Sequence, residues 1–185
     1  MLDSPIDGAV CEQCWAAARF SAGNYEGPLR DIIHAFKYER RRSLAAPLGA
    51  ALRESGAEVL RGAACVVPVP LHPWKRLRRG FNQASDLARH TGVPVVHALW
   101  RTRATPAQAG LTATARRRNV SGAFRMAPWL SRAARERYIE DRIVVVVDDV
   151  RTTGTTLEAC VEVLQRAGAR EVRTLTVARA ALHHR

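Results

Sequence analysis

Ile143-Val-Val-Val-Val147, Asp148-Asp149-Val150-Arg151, Thr152-Thr153-Gly154-Thr155-Thr156-Leu157 is the stretch on which the reading of this chain turns. Five consecutive β-branched residues without alternation predict a strand buried on both faces, as in a parallel sheet covered on either side. Two carboxylates stand where that strand should end. Four threonines around one glycine follow. Leu157, Cys160, Val161 and Leu164 then recur at helical spacing and make one apolar stripe. Gly168 falls where that helix should stop. The unit is strand, acidic tip, Thr/Gly loop, helix.

The order has a chemical logic. A helix start offers unpaired backbone N–H groups and a partial positive charge, which together hold a phosphate. Gly154 lets the backbone curl around the anion, and the threonine hydroxyls add hydrogen bonds. Carboxylates repel phosphate, but they accept hydrogen bonds from sugar hydroxyls or hold Mg²⁺ through water. A ligand with a phosphate at one end and a sugar diol beside it, such as ribose 5-phosphate, suits both halves. The stretch lacks the Gly-Lys-Ser/Thr of a Walker loop and the Gly-x-Gly-x-x-Gly of a dinucleotide fold. Paired aspartates after a strand also occur in phospho-acceptor folds, which leave the Thr/Gly loop unexplained. A strand-turn-helix with a polar turn and no ligand is the plain alternative.

Val-Val-Asp-Asp-Val-x-Thr-Thr-Gly-x-Thr-Leu resembles the phosphoribosyl pyrophosphate (PRPP) motif of type I phosphoribosyltransferases. Tyr25-Glu-Gly-Pro-Leu-Arg30, Phe36-Lys-Tyr38, Val67-Pro-Val-Pro-Leu71, Arg79-Gly-Phe-Asn-Gln83, Gln108-x-x-Leu111, Arg116-x-x-Asn119-Val120 and Phe124 are similar to the ComF family of competence-linked proteins. The resemblance runs from about Tyr25 to Ala180. It implies a type I phosphoribosyltransferase fold that binds PRPP, or a ribose phosphate, with Mg²⁺. Asp148 and Asp149 would hold the ribose hydroxyls at the catalytic position. Arg151, Thr152, Thr153, Gly154, Thr155 and Thr156 would hold the 5-phosphate. Lys75, Arg76, Arg79 and Gly80 would hold pyrophosphate. Gln108, Arg116 and Asn119 match a flexible hood that closes over the substrate in the resembled enzymes, excluding water. The motif names no acceptor, and no general base stands out, so binding is better supported than phosphoribosyl transfer.

The 185 residues suffice for one domain with a real core. The net charge is +12 and unevenly spread. From His72 to Asn119 there are ten Lys/Arg against one acid, Asp86, so that segment alone carries +9. Such a segment suits polyanions: pyrophosphate, nucleic acid, or both. Hence the rival reading, a non-catalytic accessory to DNA uptake that binds single-stranded DNA or serves a competence helicase. A PRPP-sensing regulator is a third. Lys37 and Lys75 are the only lysines among the 29 basic residues. A skew to arginine is often compositional, and a lysine that persists in such a chain hints at a chemical need.

Cys11-Glu-Gln-Cys14 is two ligands short of a structural zinc site. Cys65 falls in a predicted strand and Cys160 on an apolar stripe, so both read as core. The resemblance implies an N-terminal zinc ribbon with two Cys pairs. Residues 1–24 therefore read as a partial or degenerate remnant, from decay or a late start, with residues 25–185 as the phosphoribosyltransferase-like domain. Met1-Leu-Asp-Ser-Pro5 shows no export signal, and no apolar run approaches the roughly 18 residues of a membrane span. The expectation is a cytoplasmic protein without membrane insertion.

Elsewhere, Pro28 should open a helix with Leu29, Ile32, Ile33 and Phe36 inward, and a second helix should run from about Leu44 to Leu60. Ala64 to Val69 reads as a strand feeding a shaped basic loop, with Asn82 capping the next helix. Val93 to Val96 is a short strand, and Arg101 to Asn119 a mobile flap or an arginine strip for phosphates. Phe124 and Met126 end a strand, Pro128 to Arg142 holds a short helix, and Glu171 to Val177 is the last strand. Strands alternating with helices predict an α/β fold, a parallel-rich central sheet with helices on both faces.

Overall fold

A computed structural model describes residues 19–39, 41–72, 77, 80–103 and 122–180. In chain order the elements are β1 (Arg19–Asn24), α1 (Gly27–Tyr38), a 3₁₀ turn (Arg42–Leu44), α2 (Ala45–Ser55), α3 (Ala57–Leu60), β2 (Cys65–Pro68) and α4 (Gln83–Ala88). They continue with β3 (Leu99–Arg101), β4 (Phe124–Met126), α5 (Arg132–Tyr138), β5 (Ile143–Arg151), α6 (Thr155–Arg166) and β6 (Glu171–Arg179).

The central sheet has the order β1-β6-β5-β2, with every pair parallel. A single parallel bridge, Val66 to Val95, extends it beyond β2. It is all that forms where a short strand was expected at 93–96. β3 and β4 make a separate antiparallel pair. β5 carries the run anticipated from sequence: Val144, Val145, Val146 and Val147 are all fully buried. Alternation along the strand divides them between two cores. Val144 and Val146 meet Leu157, Cys160 and Leu164 of α6, together with Leu99 and Phe124 of the β3–β4 pair. Val145 and Val147 meet Ile33 and Phe36 of α1, Leu48 and Leu52 of α2, and Leu87 of α4. Helices thus cover both faces.

Other details depart from the sequence reading. The helix expected over Leu44 to Leu60 is broken at Gly56 into α2 and α3. A Cβ at Gly56 would lie 2.6 Å from the Leu52 carbonyl oxygen and 2.6 Å from a Leu175 methyl, so only glycine lets the turn sit against β6. Arg19–Asn24, grouped from sequence with a zinc-ribbon remnant over residues 1–24, forms a parallel edge strand on β6. Its Ser21 hydroxyl lies 2.6 Å from that of Thr176, a polar pair that alternation alone does not disclose. Leu99–Arg101 is also a strand, and Arg101, expected in the flap, is buried.

Arginines also serve the scaffold. Asp86, nearly buried on α4, takes two hydrogen bonds from Arg42 (2.9 and 3.1 Å) and one from Arg89 (2.6 Å). Arg173 pairs with Glu171 and donates to the carbonyls of Val59 (3.0 Å) and Arg61 (2.8 Å), tying the end of α3 to the sheet.

Helix α1 is anchored chiefly by Ile33 and Phe36, both fully buried, whereas Ile32, expected inward, is 40% exposed. The Phe36 ring lies 5.7 Å from that of Phe81. Phe36→Ala is expected to cost about 3–5 kcal/mol through lost burial and the cavity left behind. Urea unfolding measures it; a loss below about 1 kcal/mol would mean that α1 is not docked as described.

Candidate functional site

The acidic pair lies inside the second half of β5, not beyond its end, because pairing with β6 continues to Arg151. Successive strand residues face opposite ways. Asp148 therefore points to the side of Val146 and α6, and Asp149 to the side of Val147 and α1. The Asp149 backbone N–H donates to Asp148 Oδ1 at 2.9 Å.

Each carboxylate has a cation on its own face. The Lys37 ammonium, from the last turn of α1, lies 2.8 Å from Asp149 Oδ1, with side-chain exposures of 15% and 11%. Burial alone would lower the Lys37 pKa; the charge and hydrogen bond of Asp149, with Asp148 and Tyr25, together outweigh it, and the net direction is upward. On the other face Arg101 is buried beside Cys160 and Asp148, its guanidinium 5.2 Å from the centre of the Phe124 ring. Burial lowers its pKa. Burial and then the charge of Asp149 push Asp148 up to about 7, against the opposing pull of Lys37. Burial likewise raises the thiols of Cys65, to about 12, and Cys160, which makes them core thiols and poor nucleophiles.

Past Arg151 the chain turns through Thr152 and Thr153 into Gly154, whose φ of 81° is the left-handed conformation that glycine adopts without penalty. Gly154 is the N-cap of α6, a helix of 12 residues. The Thr153 and Thr155 hydroxyls lie 2.9 Å apart. Glu158 Oε1 and the Arg151 side chain each lie 3.8 Å from where a Cβ on Gly154 would stand, so the helix start has an acid and a base beside it.

β2 ends next to the acidic pair: Pro68 pairs with Val147, and the Val69 N–H donates to the Val147 carbonyl at 2.9 Å. The chain leaving β2 thus starts beside Asp148 and Asp149. It returns at Gly80, with φ of 80°, and Asn82 closes it. The Asn82 side chain caps α4 by accepting from the Ala84 N–H (3.2 Å) and donates to the Val69 carbonyl (3.0 Å). Lys75, Arg76, Arg79, Gln108, Arg116, Asn119, Cys11 and Cys14 lie outside the described residues. So the structure brings Asp148, Asp149 and the 151–156 turn together, with Gly80 on the loop from the neighbouring strand. Lys37 and Arg101 complete the charge balance, and neither was assigned to the site from sequence. Lys37 had one signal, its rarity; Arg101 had none, because its burial depends on the β3–β4 pairing.

Among the described residues, no three His, Cys, Asp or Glu side chains gather into a metal-binding group. Asp148 and Asp149 supply carboxylate oxygens of the kind that Mg²⁺ accepts, directly or through water. No described helix is long and apolar enough to cross a membrane.

The family model for the phosphoribosyl transferase domain matches residues 77–183. Competence protein F of Haemophilus influenzae is 34% identical over 168 residues, spanning 85% of this chain and 71% of that protein. DNA utilization protein YhgH of Escherichia coli K12 is 34% identical over 170 residues, spanning 86% and 70%. The chain therefore belongs to the competence-linked ComF family, whose members carry a phosphoribosyl transferase domain. Among solved structures, the glutamine PRPP amidotransferase from B. subtilis aligns with a TM-score of 0.46 at 26% identity, covering 72% of this chain and only 26% of that one. The hypoxanthine-guanine phosphoribosyl transferase of L. donovani aligns at 0.44 and 18% identity, covering 73% and 71%.

The raised Asp148 pKa has a definite sign in stability. The unfolded chain ionises this group near pH 4 and the folded chain near 7, so its contribution is fully present below pH 4 and lost as pH rises to about 7. Asp148→Asn removes that loss. The variant is expected to be more stable than wild type at pH 8 by about 2 kcal/mol, discounted for partial solvent access, with the gap closing towards pH 4. Thermal melts across that range test this; a constant or inverted gap contradicts it.

Proposed function

We propose that this protein binds PRPP with Mg²⁺ at the carboxyl ends of β5 and β2; transfer of its phosphoribosyl group to an acceptor, with release of pyrophosphate, is the reaction such binding would serve. One observation carries the reading: β5 delivers two carboxylates directly before a Gly-capped helix start, beside the strand that opens the basic loop. Crevices at the carboxyl ends of parallel strands are where open α/β sheets bind ligands.

The 5-phosphate would lie on the 152–156 turn and accept from the first N–H groups of α6 and the threonine hydroxyls. Asp148 and Asp149 would accept from the ribose hydroxyls. In transfer, the bond from the anomeric carbon to pyrophosphate breaks with its electron pair leaving on pyrophosphate. A bond then forms to an acceptor nucleophile, which gives up its proton. The ring gains positive charge on the way, and fixed carboxylates near it stabilise that charge without reorganising. The bound Mg²⁺ would supply neutralisation of the leaving pyrophosphate. Lys75, Arg76 and Arg79, on the loop that Gly80 ends, have the charge for the same task. Gln108, Arg116 and Asn119 would belong to the hood over the site. The N-terminal Cys11 and Cys14 pair would be half of a zinc site.

A second reading is favoured by the net charge of +12 and by the name DNA utilization protein borne by relatives. It is a non-catalytic accessory that contacts single-stranded DNA through the basic segment. DNA binding through several phosphates should fall by orders of magnitude between low and moderate salt, whereas PRPP binding in a shaped pocket should depend on the acidic pair.

Calorimetric titration of PRPP with Mg²⁺ is the test. The wild type is expected to bind, and an Asp148→Asn/Asp149→Asn variant to lose binding by about a hundredfold or more, as for two hydrogen bonds to charged groups. Absence of wild-type binding into the millimolar range would overturn the enzyme reading.

A further inference from the structure

We propose that Lys37 is a positioning residue of the PRPP site: it holds Asp149 by one oxygen only and so presents the other to a sugar hydroxyl. The inference rests on the reading above and names a residue from a different part of the fold, the last turn of α1.

The geometry is specific. Lys37 follows Phe36, which is fully buried against the underside of the sheet, so the docking of α1 fixes where the ammonium stands. The contact is to Asp149 Oδ1 at 2.8 Å. Among the described residues, no second donor reaches that carboxylate. A buried ion pair is weak as a stabilising device, because desolvation of both charges offsets their attraction. Apolar residues would serve the α1–β5 contact better, as Ile33, Phe36, Val145 and Val147 already do. The pair's position at the carboxyl end of β5 gives it another use.

The identity of the cation supports this. The chain has two lysines among 29 basic residues, and one of them is here. A guanidinium presents a planar fork that grips both oxygens of a carboxylate. An ammonium is a compact point charge that pairs with one. With lysine, Asp149 stays fixed and charge-balanced, so it repels a phosphorylated ligand less, yet it keeps one oxygen for a hydroxyl. With arginine both oxygens would be engaged.

Lys37→Arg and Lys37→Met separate this from packing. Magnesium-PRPP titrations and thermal melts are made on wild type and both variants. Both are expected to bind about tenfold more weakly or worse, the scale of one hydrogen bond to a charged group. Lys37→Arg is expected to melt within about two degrees of wild type, since it keeps the ion pair. If either variant binds as wild type does, Lys37 has no positioning role and the PRPP reading stands without it. If the loss in both variants tracks a fall in melting temperature, Lys37 is a packing residue and the proposal fails. If the wild type itself does not bind PRPP, the reading of the site fails and Lys37's role with it.

Discussion

Strand β5 has no polar side chain between Val144 and Val147, and it lies between two other strands with helices on both its faces. This constraint governs much of the molecule. A strand enclosed on four sides can bring chemistry to solvent only at its ends, and in a parallel sheet all the carboxyl ends lie on one side. Asp148 and Asp149 are where enclosure gives way, so the turn after them, the exit from β2 and the last turn of α1 converge there. The core and the candidate site are consecutive parts of one nine-residue strand.

That position also explains the charge pattern. Two adjacent carboxylates in a partly buried place repel each other, and alternation along the strand relieves this by turning them to opposite faces. Each face then supplies its own cation, Lys37 from a helix and Arg101 from the β3–β4 pair. The balance is unequal: Lys37 touches its partner, whereas Arg101 acts on Asp148 at longer range and Asp148 is left easier to protonate. Ligand hydroxyls and charges can therefore act on the two unequally.

Much of the fold was legible because the apolar run of β5 and the period-3.6 stripe of α6 are unbroken where they matter. The valine run, the Leu157–Cys160–Leu164 stripe, Gly168 as a helix stop and Asn82 as a cap all appear in the structure. The acidic pair and the Gly154 turn were legible as a local unit for the same reason, since their geometry is set by neighbours in sequence. What was not legible depended on distant partners. Arg19–Asn24 contains arginine, serine, glycine and asparagine and has no strand signature; it is a strand because β6 offers an edge and Thr176 a hydroxyl. Leu99–Arg101 is three residues long, and pairing with Phe124–Met126 alone defines it. Part of the need for glycine at Gly56 comes from Leu175, more than a hundred residues away, which lies close to where a Cβ would stand. Lys37 looked like a cation placed to suit a helix end, and only the docking of α1 aims it at Asp149.

The edge strand β1 sets where this domain can be cut. Trimming the chain at Tyr25, as an economical start for the sheet might suggest, would leave β6 with a row of unpaired backbone groups and Thr176 without its hydroxyl partner. An exposed strand edge with unpaired backbone groups is a template for a second chain. The six residues before Asn24's end thus act as a guard on solubility as much as a part of the architecture. A fragment made without them would gather into strand-paired aggregates through β6 while its acidic pair, one strand further in, remained intact.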